Sequence, residues 1–142
     1  MIDRIEIFGI IHKVDNQIKR EIDQIACKHG LTGIQSFFLK CIYDNAENGD
    51  VFQKDLEKEF DLKRSSVSLL LNNMEKSDLI QRVPVAEDAR LKKIILTEKA
   101  MILNENISIA INSVENKLSE NITLEEINVF YRVLDKIRNN LE

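Results

Sequence analysis

The sequence predicts a mainly α-helical protein with one small β-hairpin, and three observations support this prediction. Only one Pro and four Gly interrupt the 142 residues, so long helices are expected. The stretch 53–96 has the pattern of two short helices joined by a turn and followed by two β-prone runs. Apolar residues at helical spacing occupy both ends of the chain. We therefore predict a helix-turn-helix with a hairpin wing, flanked by helices on both sides.

Composition limits the classes of protein to which the chain can belong. At 142 residues and 44% hydrophobic, it is long enough for one domain with a sizeable core. No apolar run approaches the roughly 18 residues of a membrane span, so we expect a cytoplasmic protein. Two Cys are too few for a disulfide scaffold. Two His, two Cys and the lack of a phosphate-binding Gly loop in the sequence do not indicate a catalytic or metal-binding site. We predict no enzymatic activity and no cofactor.

The net charge of −4 argues against indiscriminate nucleic-acid binding. The charge is unevenly distributed, however, because residues 63–93 contain seven Lys/Arg and four Asp/Glu, while the flanking segments are acidic. The positive excess is therefore confined to the stretch that would contact phosphates.

The first two helices precede the helix-turn-helix. The first is predicted over 3–28, with Gly30 supplying the left-handed conformation that often ends a helix. Thr32 is a candidate N-cap for the second helix. Residues 45–50, with Gly49, then predict a loop before Val51 and Phe52.

The helix predicted over Arg64–Lys76 has two distinct faces. It follows a short helix over Gln53–Phe60, with Leu56 and Phe60 inward, and a turn at 61–63. Four apolar residues form one stripe at i, i+3, i+4 and i+7: Val67, Leu70, Leu71 and Met74. Hydroxyls, amides, one Leu and one cation form the opposite face: Ser65, Ser68, Leu69, Asn72, Asn73 and Lys76. Such polar groups can reach base edges in a major groove, so we interpret this as the recognition helix.

Two β-prone runs, 79–85 and 93–96, predict the hairpin, and a polar tip over 86–92 joins them. Arg90 lies in this tip between Asp88 and Lys92. It is a candidate minor-groove probe, because a narrow A·T-rich groove has enhanced negative potential. Composition alone would favour an ordinary solvated turn.

The last two helices suggest a second copy of the chain. Thr97 is a candidate N-cap for a helix to about residue 118, whose apolar residues need cover on two sides. Thr123 begins a capping box, and the last helix then has apolar residues in steps of 3 and 4: Ile127, Phe130, Leu134, Ile137 and Leu141. We predict a homodimer; the alternative is that these helices only cover one monomer's core.

Four short motifs, in this order along the chain, resemble the MarR family of bacterial winged-helix transcription regulators. They are residues 31–35 (LTGIQ), residues 65–68 (SSVS), Asp88-Ala89-Arg90 and Leu96-Thr97, and the resemblance extends over roughly 5–141. It implies a single domain over 1–142, with a DNA-binding lobe over 31–96 and dimerisation helices over 1–29 and 97–142. It also assigns Arg90 to DNA, because the family's wing carries the same Asp-x-Arg.

The resemblance implies a homodimeric, ligand-responsive repressor that binds a pseudo-palindromic operator in double-stranded DNA. A small-molecule effector would occupy a pocket between the dimerisation helices and the DNA-binding lobe, for which His12 and Phe37 are candidates. The residues expected at the DNA lie on the recognition helix and the wing: Lys63, Arg64, Ser65, Ser66, Ser68, Leu69, Asn72, Asn73, Lys76, Asp88, Arg90 and Lys92.

The chain departs from the family at two of these positions and leaves two alternative functions open. Leu69 stands where a long polar or basic residue is common, and Lys63 stands where a capping residue is usual, so that Asp61 or water would cap instead. One alternative is a dimeric interaction module that uses the winged helix for protein contacts. The other is a thiol-based redox sensor, although we interpret Cys27 and Cys41 as buried packing residues.

Overall fold

The computed structural model describes residues 6–142, and its fold is mainly helical with one two-stranded antiparallel sheet, as predicted. The predicted start of the first helix at residue 3 lies outside the described residues. The chain divides into two compact units, Met1–Ile111 and Asn112–Glu142. The elements in chain order are α1 (Ile7–Lys28), α2 (Gly33–Ala46), α3 (Gln53–Phe60), α4 (Arg64–Lys76), β1 (Ile80–Val85), β2 (Asp88–Leu96), α5 (Glu98–Leu118) and α6 (Leu124–Leu141).

The helices begin and end at the local signals that the sequence contains. Gly30 has a φ of +74° just beyond α1, where the left-handed conformation costs glycine little. Thr32 and Gln35 form a capping box at α2, with the Gln35 amide donating to Thr32 Oγ1 at 3.3 Å and the Thr32 amide donating to Gln35 Oε1 at 3.0 Å. Thr123 and Glu126 repeat this arrangement at α6. These caps fix the helix boundaries at the predicted positions.

The core of the first unit holds α4 in place. Val67, Leu71 and Met74 are fully buried, and Leu70 is half-buried. Phe38 of α2 lies against Phe60 of α3, with the ring centroids 4.9 Å apart. Because the predicted apolar stripe of α4 faces this core, its polar face is directed outwards.

The hairpin is longer and its turn shorter than the sequence pattern predicts. β1 pairs with β2 from Ile80 opposite Leu96 to Pro84 opposite Lys92, and the next pair is Val85 with Asp88. Residues 89–91 are therefore extra on β2, and the predicted tip over 86–92 is wrong. Such a bulge interrupts the ladder and redirects side chains, and Arg90 is at its centre.

The wing is attached to the rest of the first unit on both sides. The Ile94 amide donates to the Val51 carbonyl at 2.7 Å, which ties β2 to the segment before α3. Thr97 Oγ1 donates to the Asp78 carbonyl at 2.7 Å and accepts from the Ala100 amide at 3.2 Å. Thr97 thus caps α5, as predicted, and also joins it to the segment before β1.

Much apolar side-chain surface on the flanking helices remains exposed. No residue of α6 is buried, and within the predicted seam Ile127, Leu134 and Ile137 are half-buried while Phe130 and Leu141 are exposed. None of the helices within residues 6–142 is both long and apolar enough to cross a membrane. The large exposed apolar residues on α1 and α5 are Ile7, Phe8, Ile10, Ile11, Val14, Met101, Ile102, Ile109 and Leu118.

Candidate nucleic-acid interface

The outer face of α4 presents most of the predicted recognition residues to solvent. Leu69 is 62% exposed at the centre of this face. The other exposed residues of this set on or beside α4 are Lys63, Arg64, Ser65, Ser66, Asn72, Asn73 and Lys76. An exposed row of hydroxyl, amide and cationic groups on one helix can contact base edges and phosphates.

Ser68 differs from its neighbours because a side chain from α3 holds it. Gln53 Nε2 donates to Ser68 Oγ at 2.8 Å and to the Arg64 carbonyl at 3.3 Å. Ser68 is half-buried as a result, but its hydroxyl hydrogen can still be donated. Gln53 therefore belongs to the interface indirectly, which the sequence pattern did not indicate.

The beginning of α4 has no side-chain cap from its N-cap residue. Lys63 occupies that position and makes no capping hydrogen bond through its side chain. Asp61 takes a left-handed conformation, with φ of +49°, and ends α3. This sharp turn brings the chain into α4 within three residues, as the helix-turn-helix prediction requires.

The bulge of β2 presents Arg90 almost completely to solvent. The Arg90 side chain is 95% exposed, and its Nε lies 3.6 Å from Asp88 Oδ1. The same Asp88 oxygen accepts the Arg90 backbone amide at 3.0 Å. Asp88 therefore contacts both the backbone and the guanidinium of Arg90. Lys92 is also exposed.

Arg82 of β1 connects the wing to α4, and the sequence pattern did not identify it. Its Nη2 donates to Asn72 Oδ1 at 2.6 Å, and its Nε donates to Glu75 Oε2 at 3.1 Å. The hydrogen bond from Arg82 lowers the pKa of the Glu75 carboxyl. Ile80 and Arg82 share one face of the strand because side chains alternate, and this alternation is the signal that places Arg82 towards the helix.

The two effector-site candidates lie in different surroundings. His12 is exposed on α1, where its Nε2 lies 3.2 Å from Asn16 Nδ2, and Phe37 is half-buried on α2. A cleft of about 360 Å³ in the first unit is lined by other residues, including Tyr43, Glu47, Lys93 and Met101. The role of His12 and Phe37 therefore stays a prediction.

The two cysteines also differ from each other. Cys27 is exposed, so its interpretation as a buried packing residue is wrong. It follows the buried Ala26 by one residue, and a step of about 100° turns it to solvent. Cys41 is half-buried, and burial raises the pKa of its thiol, with a further contribution from the charge of Glu59.

Comparison with known proteins identifies proteins similar to this chain. A sequence model of the MarR family matches residues 29–91. MarR from Oenococcus oeni PSU-1 is 29% identical, with a TM-score of 0.85 over 94% of this chain and 99% of that chain.

Two solved DNA complexes are also similar in structure. The MepR–DNA complex from S. aureus is 24% identical, with a TM-score of 0.91, and the similarity covers 99% of this chain and 100% of that chain. A putative MarR family regulator from Listeria monocytogenes, complexed with 26mer DNA, is 22% identical, with a TM-score of 0.83 and coverage of 97% and 90%. At these identities the two complexes show likeness of fold alone.

Proposed function

We propose that the chain belongs to the MarR family of winged-helix transcription regulators and that it is a sequence-specific DNA-binding regulator. One observation carries the proposal: the hydroxyl and amide face of α4 and the projecting Arg90 are both exposed on the DNA-binding lobe. Both lie within residues 63–93, the stretch that carries the positive excess. Two proteins with the same fold form DNA complexes, which supports the same use of this lobe.

The two exposed features suit different grooves of the DNA. The α4 face enters the major groove, where donors and acceptors distinguish all four base pairs. Arg90 enters the adjacent minor groove, because a single extended guanidinium fits a narrow groove of strong negative potential. The wing therefore supplies electrostatic attachment and α4 supplies base choice.

The regulator works as a homodimer. Five large apolar side chains in the first half of α1 are at least 44% exposed, and on α6 Phe130 is 57% and Tyr131 60% exposed. Exposed apolar surface of this extent typically marks a protein interface. A two-fold dimer would bind half-sites about 10 base pairs apart on one face of the duplex.

Sedimentation equilibrium at micromolar concentration tests the dimer. Phe130→Glu places a charge on the proposed contact and is expected to give monomers, because an unpaired charge is costly to bury. Asn128→Glu, at an exposed polar position of the same helix, should remain dimeric. A folded parent that sediments as a monomer contradicts this part of the proposal.

The regulator acts as a repressor that a small molecule releases from its operator. Asn104 of α5 supports a ligand site, because it is 3% exposed and its Oδ1 has no hydrogen-bond partner among the residues that the structure describes. An unsatisfied buried acceptor costs about 1–3 kcal/mol, and a ligand donor there would remove that cost. His12 and Phe37 remain the candidate lining residues.

Selection from random double-stranded DNA with the purified full chain tests the proposed function. We expect enrichment of one pseudo-palindromic site that competes with bulk DNA at about physiological salt. Retention of no specific sequence would refute the regulator and favour the protein-interaction module. Release from the selected site by peroxide, abolished in Cys27→Ser, would instead identify a redox sensor.

A further inference from the structure

Arg82 of β1 forms a cluster with two residues of α4, Asn72 and Glu75. The cluster joins the wing to the recognition helix. The Arg82 guanidinium donates to Asn72 Oδ1 at 2.6 Å, to Glu75 Oε2 at 3.1 Å and to Glu75 Oε1 at 3.4 Å. The Arg82 side chain is 25% exposed, and that of Glu75 is 44% exposed. Asn72 itself is exposed on the outer face of α4. A residue of the wing therefore holds the side chain of a proposed base-reading residue.

The chemistry of the three groups determines which way the Asn72 amide points. A guanidinium has five N–H donors and no acceptor, whereas a carboxamide has one oxygen acceptor and one NH₂ donor group. Asn72 must therefore turn its oxygen to Arg82, and its Nδ2 is directed elsewhere. A charge-assisted hydrogen bond to the oxygen also polarises the amide. Asn72 becomes a stronger donor at Nδ2 and a weaker acceptor at Oδ1.

This polarity changes the base that Asn72 can read. Adenine in the major groove presents one acceptor and one donor, N7 and N6, so a bidentate contact needs both ends of the amide. Guanine presents two adjacent acceptors, N7 and O6. An amide whose oxygen is already bound to a cation suits guanine better than adenine.

We infer that Arg82 is a specificity-determining residue that acts through Asn72 and makes it a hydrogen-bond donor to guanine. This inference rests on the proposed function, because it needs α4 in the major groove. Glu75 neutralises the charge of Arg82 and holds its side chain against α4. In this position the guanidinium orients Asn72. Arg82 then makes no phosphate contact of its own, although it is a cation in the DNA-binding lobe.

The experiment compares base preference among four proteins on the site selected for the parent. These are the parent, Arg82→Met, Asn72→Ala and the double variant, and each is titrated against all four bases at every position. At one position per half-site the parent should prefer guanine to adenine by about fivefold or more. Arg82→Met should reduce that preference to within about twofold, and the double variant should behave like Asn72→Ala alone.

Two further measurements separate positioning from other roles of Arg82. The salt dependence of affinity should be unchanged in Arg82→Met, whereas loss of a phosphate contact would lower the slope by about 1 per subunit. Gln81→Met, on the opposite face of the same strand, should keep the parental preference. Arg82→Lys keeps the charge without the planar fork. It is measured in place of Arg82→Met if the Arg82→Met protein loses its native circular dichroism spectrum.

The possible results are distinct. An Asn72-dependent preference for adenine, an unchanged preference in the Arg82 variant, or a reduced salt slope would each overturn the inference while leaving a DNA-binding regulator intact. A parent that selects no DNA sequence would refute the proposed function itself. Guanine preference that is lost in both single variants, with no additional loss in the double variant, supports the role of Arg82.

Discussion

Replacement of Arg90 by alanine tests how the wing contributes to DNA binding. The Arg90 side chain is 95% exposed, and its contact with Asp88 at 3.6 Å is a surface ion pair, a kind of contact that contributes little to stability. The Asp88 bond to the Arg90 backbone amide does not depend on the side chain. The variant should therefore have the same melting temperature as the parent. Any change in its DNA affinity then comes from the lost side chain and not from unfolding.

The size of that effect follows from the number of charges removed. Each cation that leaves the DNA lowers the slope of log affinity against log salt by about 0.9, so two wings in a dimer lower it by about 1.8. Over a fourfold rise in salt, the affinity advantage of the parent over Arg90→Ala should then shrink by about twelvefold. The loss should be similar for matched and mismatched major-groove sites, because Arg90 reads few base edges.

Fluorescence anisotropy with a labelled operator measures this effect between about 50 and 200 mM salt. Lys19→Ala is the matched control, since Lys19 is another exposed cation with one surface ion pair, to Asp15 at 2.8 Å, and it lies on α1 outside the positive stretch. An equal change of slope in both variants, or no change in Arg90→Ala, would refute the assignment of Arg90 to the DNA.

Three further expectations follow from individual contacts. Thr97→Val removes the hydroxyl that caps α5 and donates to the Asp78 carbonyl. We expect the free energy of unfolding to fall by about 1–3 kcal/mol, whereas the Thr97→Ser control should keep a free energy of unfolding near that of the parent. With a thiol reagent at pH 8, Cys27 should react quickly and Cys41 slowly, because burial raises the pKa of the Cys41 thiol and leaves less thiolate. Cys27→Ser should remove the fast phase of the reaction, and a single slow phase in the parent would contradict this expectation. Val67→Ala should destabilise the lobe by about 1–3 kcal/mol in a denaturant titration, since Val67 is fully buried, whereas Ser66→Ala at the neighbouring exposed position should unfold like the parent.

Local signals in the sequence were sufficient to predict most of the fold. The bounds of α3 and α4 agree with the prediction to the residue, because a 3.6-residue stripe identifies each helix and a three-residue turn separates them. The wing was less predictable. Val85 pairs with Asp88 across a two-residue turn, and the position of a bulge depends on backbone pairing that a run of charged residues does not reveal.

The candidate interface was predicted as a face of α4, and the differences among its residues could not be predicted. Periodicity determines which side chains are exposed, but the partner of an exposed polar group comes from whichever element folds beside it. Gln53 is 15 residues from Ser68, and Arg82 is 10 residues from Asn72. Both partners are long polar residues whose roles depend on how α3 and β1 pack against α4.

These partners give the recognition residues unequal importance. An exposed side chain that must become ordered on DNA loses about 0.5–1.5 kcal/mol of binding free energy. Gln53 and Arg82 already hold Ser68 and Asn72 in the described structure. These two side chains are therefore largely ordered before DNA binds. Leu69, 62% exposed, offers apolar contact with a thymine methyl group and no directional bond. Base discrimination should therefore concentrate at the positions that Ser68 and Asn72 contact, and loss of Gln53 or Arg82 should weaken discrimination more than overall affinity.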